Sequence, residues 1–300
     1  MNKVLRKTGM VVAALVVLII LALVVIYTLS TIRMNKKYDL VASTINAPKD
    51  QASITEGRRL YISRGCVDCH GADLSGQTFI NVPPIGKFTG TNLTSGKGGA
   101  ASTMSDTDFA FAIRHGIAPD GSALIFMPAT DFQGMSDEDV GKIIAYIRRV
   151  KPVNETSPAQ HAGPITRLLF LAGKMPLLVS AELINHQAKS PAQVEVGETV
   201  EYGRYLAIGC TGCHGPGFSG GTIPGGPPDW PHAKNLTPAG DLGKWSQAEF
   251  IKTMRTGVRP DDSTLKPPMP WKNFSLMTDV ELKAIWMFLK TIPAKETGNR

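Results

Sequence analysis

From Thr8 to Ile32 the chain carries no charged residue, and Met10 to Ile26 is built almost wholly from Val, Leu, Ile and Ala. Spanning a bilayer takes about 20 such residues, so this run predicts one membrane-crossing helix. It is longer than the apolar stretch of a secretory signal, about 7–15 residues, and only Thr28-Leu29-Ser30 offers a weak cleavage site. Residues 1–33 therefore read as an uncleaved anchor, with residues 10–32 in the lipid bilayer. Past residue 50 the pattern changes. Val140, Ile143, Ile144 and Ile147 form an apolar stripe at helical spacing, and Leu282, Ile285, Trp286 and Leu289 form another. Each stripe follows a start signal, Ser136 with Asp139 three residues on and Thr278 with Glu281. A shorter helix-like segment stands earlier in each region, holding Gly57 and Leu60 or Gly203 and Leu206. The stretch PITRLLFLAGKMPLLVSAELI, from Pro164, is apolar but broken by Arg167, Lys174, Pro176 and Glu182. It reads as a short amphipathic helix packed on its neighbours, in preference to a helix on the membrane surface, and it is too interrupted for a second span.

The two stripes belong to an internal repeat. Cys66 and Cys210 are 144 residues apart, and the tripeptide NLT recurs at Asn92 and Asn235, 143 apart. FAFAIRHGIAPDGS from Phe109 matches FIKTMRTGVRPDDS from Phe250 at an offset of 141, and MPATDFQGMSDEDV from Met127 matches MPWKNFSLMTDVEL from Met269 at 142. Two copies of one domain follow, at 52–152 and 197–297, with a linker at 34–51 and an unmatched connector at 153–196. Inside each copy the middle is rich in Gly, Pro and Thr, without strand-like alternation. Loops this long are uncommon in a compact domain unless something functional organises them, and a large buried cofactor would do so.

The formal net charge of +7 suggests a basic surface, but its location removes that suggestion. Residues 1–49 hold seven Lys or Arg against one Asp, so +6 of the excess flanks the apolar run. This is the pattern of an anchor and not of a nucleic-acid-binding surface. Basic residues stand on both sides of the run, so charge alone leaves its orientation open.

All four cysteines fall in one recurring heptapeptide, GCVDCHG from Gly65 and GCTGCHG from Gly209. A dithiol redox site belongs beside a strand–helix unit, which neither copy displays. A structural zinc would need the two pairs, or further histidines, gathered in one cluster. Covalent haem attachment uses Cys-x-x-Cys-His: two cysteines reach one edge of the porphyrin, and the adjacent histidine is carried under the iron. Only this chemistry needs the histidine, so Cys66, Cys69, Cys210 and Cys213 are the expected attachment points and His70 and His214 the proximal ligands. Met127 lies 57 residues after His70, and Met269 lies 55 after His214, each in a Met-Pro pair before the capped last helix. Their matched positions make them the expected sixth ligands, giving two His/Met irons of raised potential. Met135 and Met277 are also matched but precede a helix cap, where a packing contact is expected. A carbonyl near Pro83-Pro84 and Pro227-Pro228 is one candidate to orient each histidine, a plain turn the other. Arg114 and Arg255 match and are candidates for haem propionates, with a solvated helix face as the alternative. His115, His161, His186 and His232 lack matches and read as exposed or satisfied side chains.

The order helix, CxxCH, Pro-bearing loop, Met-Pro and final helix resembles that of the class I cytochromes c in both copies. NLT and FAFAIRHGIAPDGS…MP further resemble the cytochrome c subunits of periplasmic alcohol and sugar-acid dehydrogenases. The resemblance covers about 52–152 and 197–293. It implies an all-α fold around two covalent haem c groups, and electron transfer between a donor and an acceptor redox protein without substrate chemistry. It also implies haem loading outside the bacterial cytoplasmic membrane, hence a single pass with both domains in the periplasm. Those subunits carry three haem domains, whereas this chain has two. A subunit of a membrane-bound dehydrogenase or respiratory oxidase complex is one alternative, and a dihaem peroxidase another.

Overall fold

A computed structural model describes residues 3–39, 45–227 and 229–299. Part of the 34–51 linker, at 40–44, and the second residue of the Pro227-Pro228 pair lie outside the described residues. Helix α1 (Lys3–Met34) is apolar and exposed on nearly every side from Val4 to Val25. It is the one described helix long and apolar enough to cross a membrane unbroken. A helix satisfies its own backbone hydrogen bonds, which is what a segment in lipid requires.

The first repeat contains α2 (Gln51–Ser63), α3 (Val67–His70), strands β1 (Thr78–Val82) and β2 (Gly86–Thr89), α4 (Asp106–His115) and α5 (Asp137–Ile147). The connector adds β3 (His161–Ala162), α6 (Pro164–Leu171) and a kinked 3-10 segment, Pro176–Leu183. The second repeat contains α7 (Val200–Ala207), α8 (Thr211–His214), α9 (Gln247–Thr256), α10 (Trp271–Phe274) and α11 (Asp279–Thr291). The molecule is mostly helical. The three short antiparallel strands, in the order β1-β2-β3, correct the expectation of an all-α chain. Their cause is local. Pro83 and Pro84 make the tight turn between β1 and β2, and the connector returns to supply β3 opposite Gly86 and Lys87.

In each repeat the first helix crosses the last, α2 on α5 and α7 on α11, and glycine sets how closely. A Cβ on Gly57 would overlap the Lys142 carbonyl, and one on Gly203 the Ala284 carbonyl, 142 positions on. Leu60, Tyr61, Phe109, Ile143, Ile144 and Ile147 fill the first core. Leu206, Phe250, Leu282, Ile285, Trp286 and Leu289 fill the second. The predicted capping box at Thr278 and Glu281 forms in full. At Ser136 only half forms, because Asp139 turns away to accept from the Tyr205 hydroxyl at 2.6 Å. Two further boxes, Ser105 with Asp108 and Ser246 with Glu249, start α4 and α9.

A third core was not legible in the sequence. Met34 at the end of α1, Phe88 of β2, Ile117 and Ala123 after α4, and Phe170, Leu178 and Val179 of the connector pack together. The connector packs part of its length against the end of α1 and the first repeat, and it joins these two more than it spaces the two repeats.

Candidate cofactor-attachment sites

Each CxxCH motif folds into one turn of helix, α3 or α8. One turn places Cys66 above His70 and Cys210 above His214, four residues apart on one face. Gly71 (φ +78°) and Gly215 (φ +79°) then stop the helix directly after the histidine, a conformation that favours glycine. The ring Nδ1 of His70 lies 2.8 Å from the Thr91 carbonyl oxygen, and that of His214 lies 2.7 Å from the Lys234 carbonyl oxygen. A carbonyl only accepts, so Nδ1 carries a proton in both rings, and the neutral imidazole then keeps its lone pair on Nε2, the tautomer an iron ligand needs. Burial lowers the His70 pKa, with the Thr91 bond opposing, so the ring is held neutral.

These carbonyls replace the acceptor sought near the proline pairs. Pro84 and Ile85 instead accept from Ile165 and Gly163 of the connector. The true acceptors sit one residue before each NLT. Asn92 Nδ2 donates to the Val153 and Glu155 carbonyls at 2.9 and 2.8 Å, and its Oδ1 accepts from Thr94 N and Oγ1. Asn235 does the same with the Lys295 carbonyl and Thr237. A buried asparagine therefore ties the histidine-holding loop to the chain beyond each final helix. The sequence showed NLT as a repeat marker, and that was the available signal.

No two of the four cysteines form a disulfide. Burial pushes the thiols of Cys66 and Cys210 up to about 12 and that of Cys69 to about 11. A dithiol redox centre works through a lowered thiol pKa, so this environment is the opposite of the one it needs. Among the described residues no three His, Cys, Asp or Glu side chains gather to hold a metal ion, which leaves the zinc arrangement without its ligand set. Cys66 and half-buried Met127 line the first core, and Cys210 and half-buried Met269 line the second. Met135 and Met277 lie buried within those cores. The chain thus offers, in each repeat, two thiols, an imidazole oriented through Nδ1 and a thioether bordering one apolar core. That donor set fits a covalently held haem.

Arg114 and Arg255 have protein partners. Arg114 pairs with Asp137 at 2.7 Å and Arg255 with Asp279 at 2.7 Å, tying α4 and α9 to the first turns of α5 and α11. Nε and Nη2 of Arg114 are buried without a partner. His115 and His186, given no role from sequence, face each other with Nδ1 atoms 3.1 Å apart, beside the ring of Tyr38.

The two motifs also contact each other's repeats. Asn273, four residues after Met269, donates to the carboxylate of Asp68, inside the first CxxCH, at 2.8 Å. Asp131, four residues after Met127, lies on Gly212 inside the second, its carboxylate 3.1 Å from where a Cβ would stand. Asp131 and Asn273 are matched positions, as are Asp68 and Gly212. Each methionine loop therefore seats on the other repeat's attachment motif, a reciprocal arrangement.

Attachment motif, oriented histidine and helix crossing, twice over, define a haem-binding electron-transfer fold. The cytochrome c family model matches residues 54–151 and 200–293, so the chain belongs to the cytochrome c family, with one haem c per matched region. It is 30% identical over 286 residues to the fructose dehydrogenase cytochrome subunit of Gluconobacter japonicus, covering 84% of this chain and 55% of that protein. It is 29% identical over 290 residues to the cytochrome c subunit of the quinone alcohol dehydrogenase of Gluconacetobacter polyoxogenes, covering 85% and 60%. It is 26% identical over 268 residues to a dihaem c-type cytochrome of Cereibacter sphaeroides, covering 81% and 86%. The chain spans little more than half the length of the first two relatives.

Proposed function

We propose that the chain is a membrane-anchored dihaem electron-transfer protein that takes electrons from one redox protein and passes them to another. The reciprocal seating of each methionine loop on the other attachment motif carries this reading, because it holds the two sites side by side within one chain. Each haem c, when bound, supplies a one-electron ferrous–ferric couple. The chain's own residues do the rest. Cys66, Cys69, Cys210 and Cys213 would hold the two haems covalently, and His70 with Met127 and His214 with Met269 would supply the iron ligands. A soft, neutral thioether favours the ferrous state, so both sites have raised potential. The domains are 52–152 and 197–297, joined by the 153–196 connector, and both lie in the periplasm with the N-terminus inside. The names of the dehydrogenase relatives support membership of a membrane-bound dehydrogenase complex, in which this chain would be the electron-carrying subunit.

The test replaces each distal ligand. Met127→His and Met269→His should each stay low-spin and lower the potential of one haem while the other keeps its value, read by spectroelectrochemical titration. The weak near-infrared band of a ferric iron–thioether bond should vanish in the double variant. A band that survives there would transfer the assignment to Met135 and Met277. A high-spin haem that binds carbon monoxide in the unaltered protein would replace the carrier with a peroxidase-type enzyme.

A further inference from the structure

Helix α6 has two faces of opposite character. Thr166 and Phe170 are fully buried, and the Thr166 hydroxyl donates to the Ile85 carbonyl at 2.7 Å. On the other side Ile165 (43% exposed), Leu168 (51%), Leu169 (36%) and Ala172 follow one another at i, i+3, i+4 and i+7. That is a continuous helical stripe, and it is apolar on its outward face. A soluble surface does not ordinarily present such a stripe, whereas an interfacial helix does. Gly173 and Lys174 form the turn that follows; both are exposed, and nothing lies within 4 Å of a Cβ built on Gly173.

The position of the stripe is fixed by two arginines. Arg167 donates to Ser30 Oγ at 2.7 Å and Thr31 Oγ1 at 2.9 Å, and its guanidinium lies 4.4 Å from the centre of the Tyr27 ring. Arg33 pairs with Glu182 at 2.6 Å, donates to the Phe170 carbonyl at 3.0 Å, and covers the Phe170 ring at 4.0 Å. Both clamp the connector to the last two turns of α1, from Tyr27 to Arg33. The uncharged run Thr8–Ile32 rises about 37 Å, and the hydrocarbon core is about 30 Å thick. Its last turns therefore reach the headgroup level, where Tyr is at home. On the same turns of α1 that the two arginines hold against the connector, Leu29 (51% exposed) and Ile32 (66%) also present apolar surface.

We propose that α6 lies in the outer-leaflet interface of the bilayer, with Ile165, Leu168, Leu169 and Ala172 at the acyl boundary and Lys174 reaching the lipid phosphates. The occupant of the stripe is lipid. A second crossing does not fit: α6 has 8 residues and rises about 12 Å, far short of the core thickness. Both ends of the segment are also fastened to the first repeat, by Gly163 N to the Ile85 carbonyl and by Phe126 N to the Leu178 carbonyl at 2.9 Å. Fixing this segment in the interface sets the tilt of the first repeat. It also places the Met127 loop close to the membrane, because Ser180 Oγ donates to the Met127 carbonyl and accepts from Ala129 N. An acceptor or donor within the membrane plane thus meets the first site before the second.

The proposal rests on α1 being a span, and the experiment separates the two. Full-length holoprotein, its native thiols consumed by haem attachment, is spin-labelled at Leu168→Cys, Leu169→Cys, Leu18→Cys or Lys189→Cys. It is placed in phospholipid nanodiscs in the ferrous state. Power saturation then compares collision with oxygen, which partitions into lipid, and with a nickel chelate, which stays in water. Leu168 and Leu169 should show an oxygen-to-nickel ratio several-fold above that of Lys189 and approaching that of Leu18. A lipid ratio at Leu18 with an aqueous ratio at Leu168 and Leu169 overturns the interfacial helix alone. Labels shielded from both reagents at Leu168 and Leu169 mean a protein covers the stripe, which also overturns it. An aqueous ratio at Leu18 overturns the span itself.

Discussion

Asn92 and Asn235 show how one amide can steady a histidine it never touches. Each joins the loop offering the histidine its carbonyl to the strand of chain after the last helix. Asn92→Ala should remove its bonds to the Val153 and Glu155 carbonyls and leave the buried Thr94 N–H without its acceptor, at a cost of about 1–3 kcal/mol. It should also shift the potential of the first haem and spare the second; an unchanged pair of potentials with lowered stability would reduce the role to packing. Asp131 and Asn273 occupy matched places but differ in charge. Burial raises the Asp131 carboxyl to about 7, partly offset by a hydrogen bond from Thr130. Its folded pKa exceeds the unfolded value, so the folded state binds the extra proton between about pH 4 and 7. Stability from this group is complete below that window and is lost as pH rises through it, by at most about 4 kcal/mol. Asp131→Asn should flatten the decline in denaturation midpoint from pH 5 to pH 8. Equal slopes in the two proteins would show that Asp131 does not titrate there. The two attachment motifs stand out in the sequence because thioether chemistry dictates the spacing of cysteine and histidine, and Met127 and Met269 are candidates only through their matched positions. Asp131 does not stand out, because only the packing of two repeats buries it.

Among elements, the crossings of α2 on α5 and α7 on α11 depend on glycines that sequence marked only as repeated positions. Alanine at Gly57 or Gly203 would favour the helix by about 0.5–1 kcal/mol. It would also drive a methyl into a backbone carbonyl oxygen that cannot rotate away, and overpacking typically costs about 1–3 kcal/mol, more where the contact is this close. Each single variant should therefore lower the midpoint of the thermal transition by several degrees in calorimetry. A neutral or raised midpoint would mean the helices separate at little cost. The final helices were legible from stripe and cap because those signals are local. The sheet was not. Its third strand has two residues, and it pairs His161 with Lys87, far away in the chain. No periodicity develops in so short a strand, and the broken apolar pattern of the connector favours packing without marking what it packs on.

At the scale of the whole molecule, the two repeats are locked by a bidentate pair. Arg59 of α2 donates to both carboxylate oxygens of Glu281 of α11, at 2.6 and 2.9 Å, and to the Leu276 carbonyl. The Glu281 side chain is only 4% exposed. Burial by itself would raise the Glu281 carboxyl. The hydrogen bonds and charge of Arg59, joined by the Thr278 N–H, outweigh burial and hold it below its ordinary range. A depressed carboxyl stabilises the fold above its unfolded pKa and loses that contribution as pH falls through its folded one. The contact between repeats should thus loosen in acid while each repeat's own core persists. Arg59→Ala reproduces this at neutral pH by stranding Glu281, and losing one partner of a buried pair costs about 3–5 kcal/mol. Glu281→Gln keeps the cap on α11 and removes the charge, which separates interface from helix. The outcome to look for is a single thermal transition in the parent that splits into two in Arg59→Ala, with α11 helicity retained in Glu281→Gln. Electron exchange between the two haems, followed after flash reduction of one, should slow in the same variant, because the Asn273–Asp68 and Asp131–Gly212 contacts share that interface. One cooperative transition and unchanged exchange in Arg59→Ala would show that those contacts hold the repeats together without the pair.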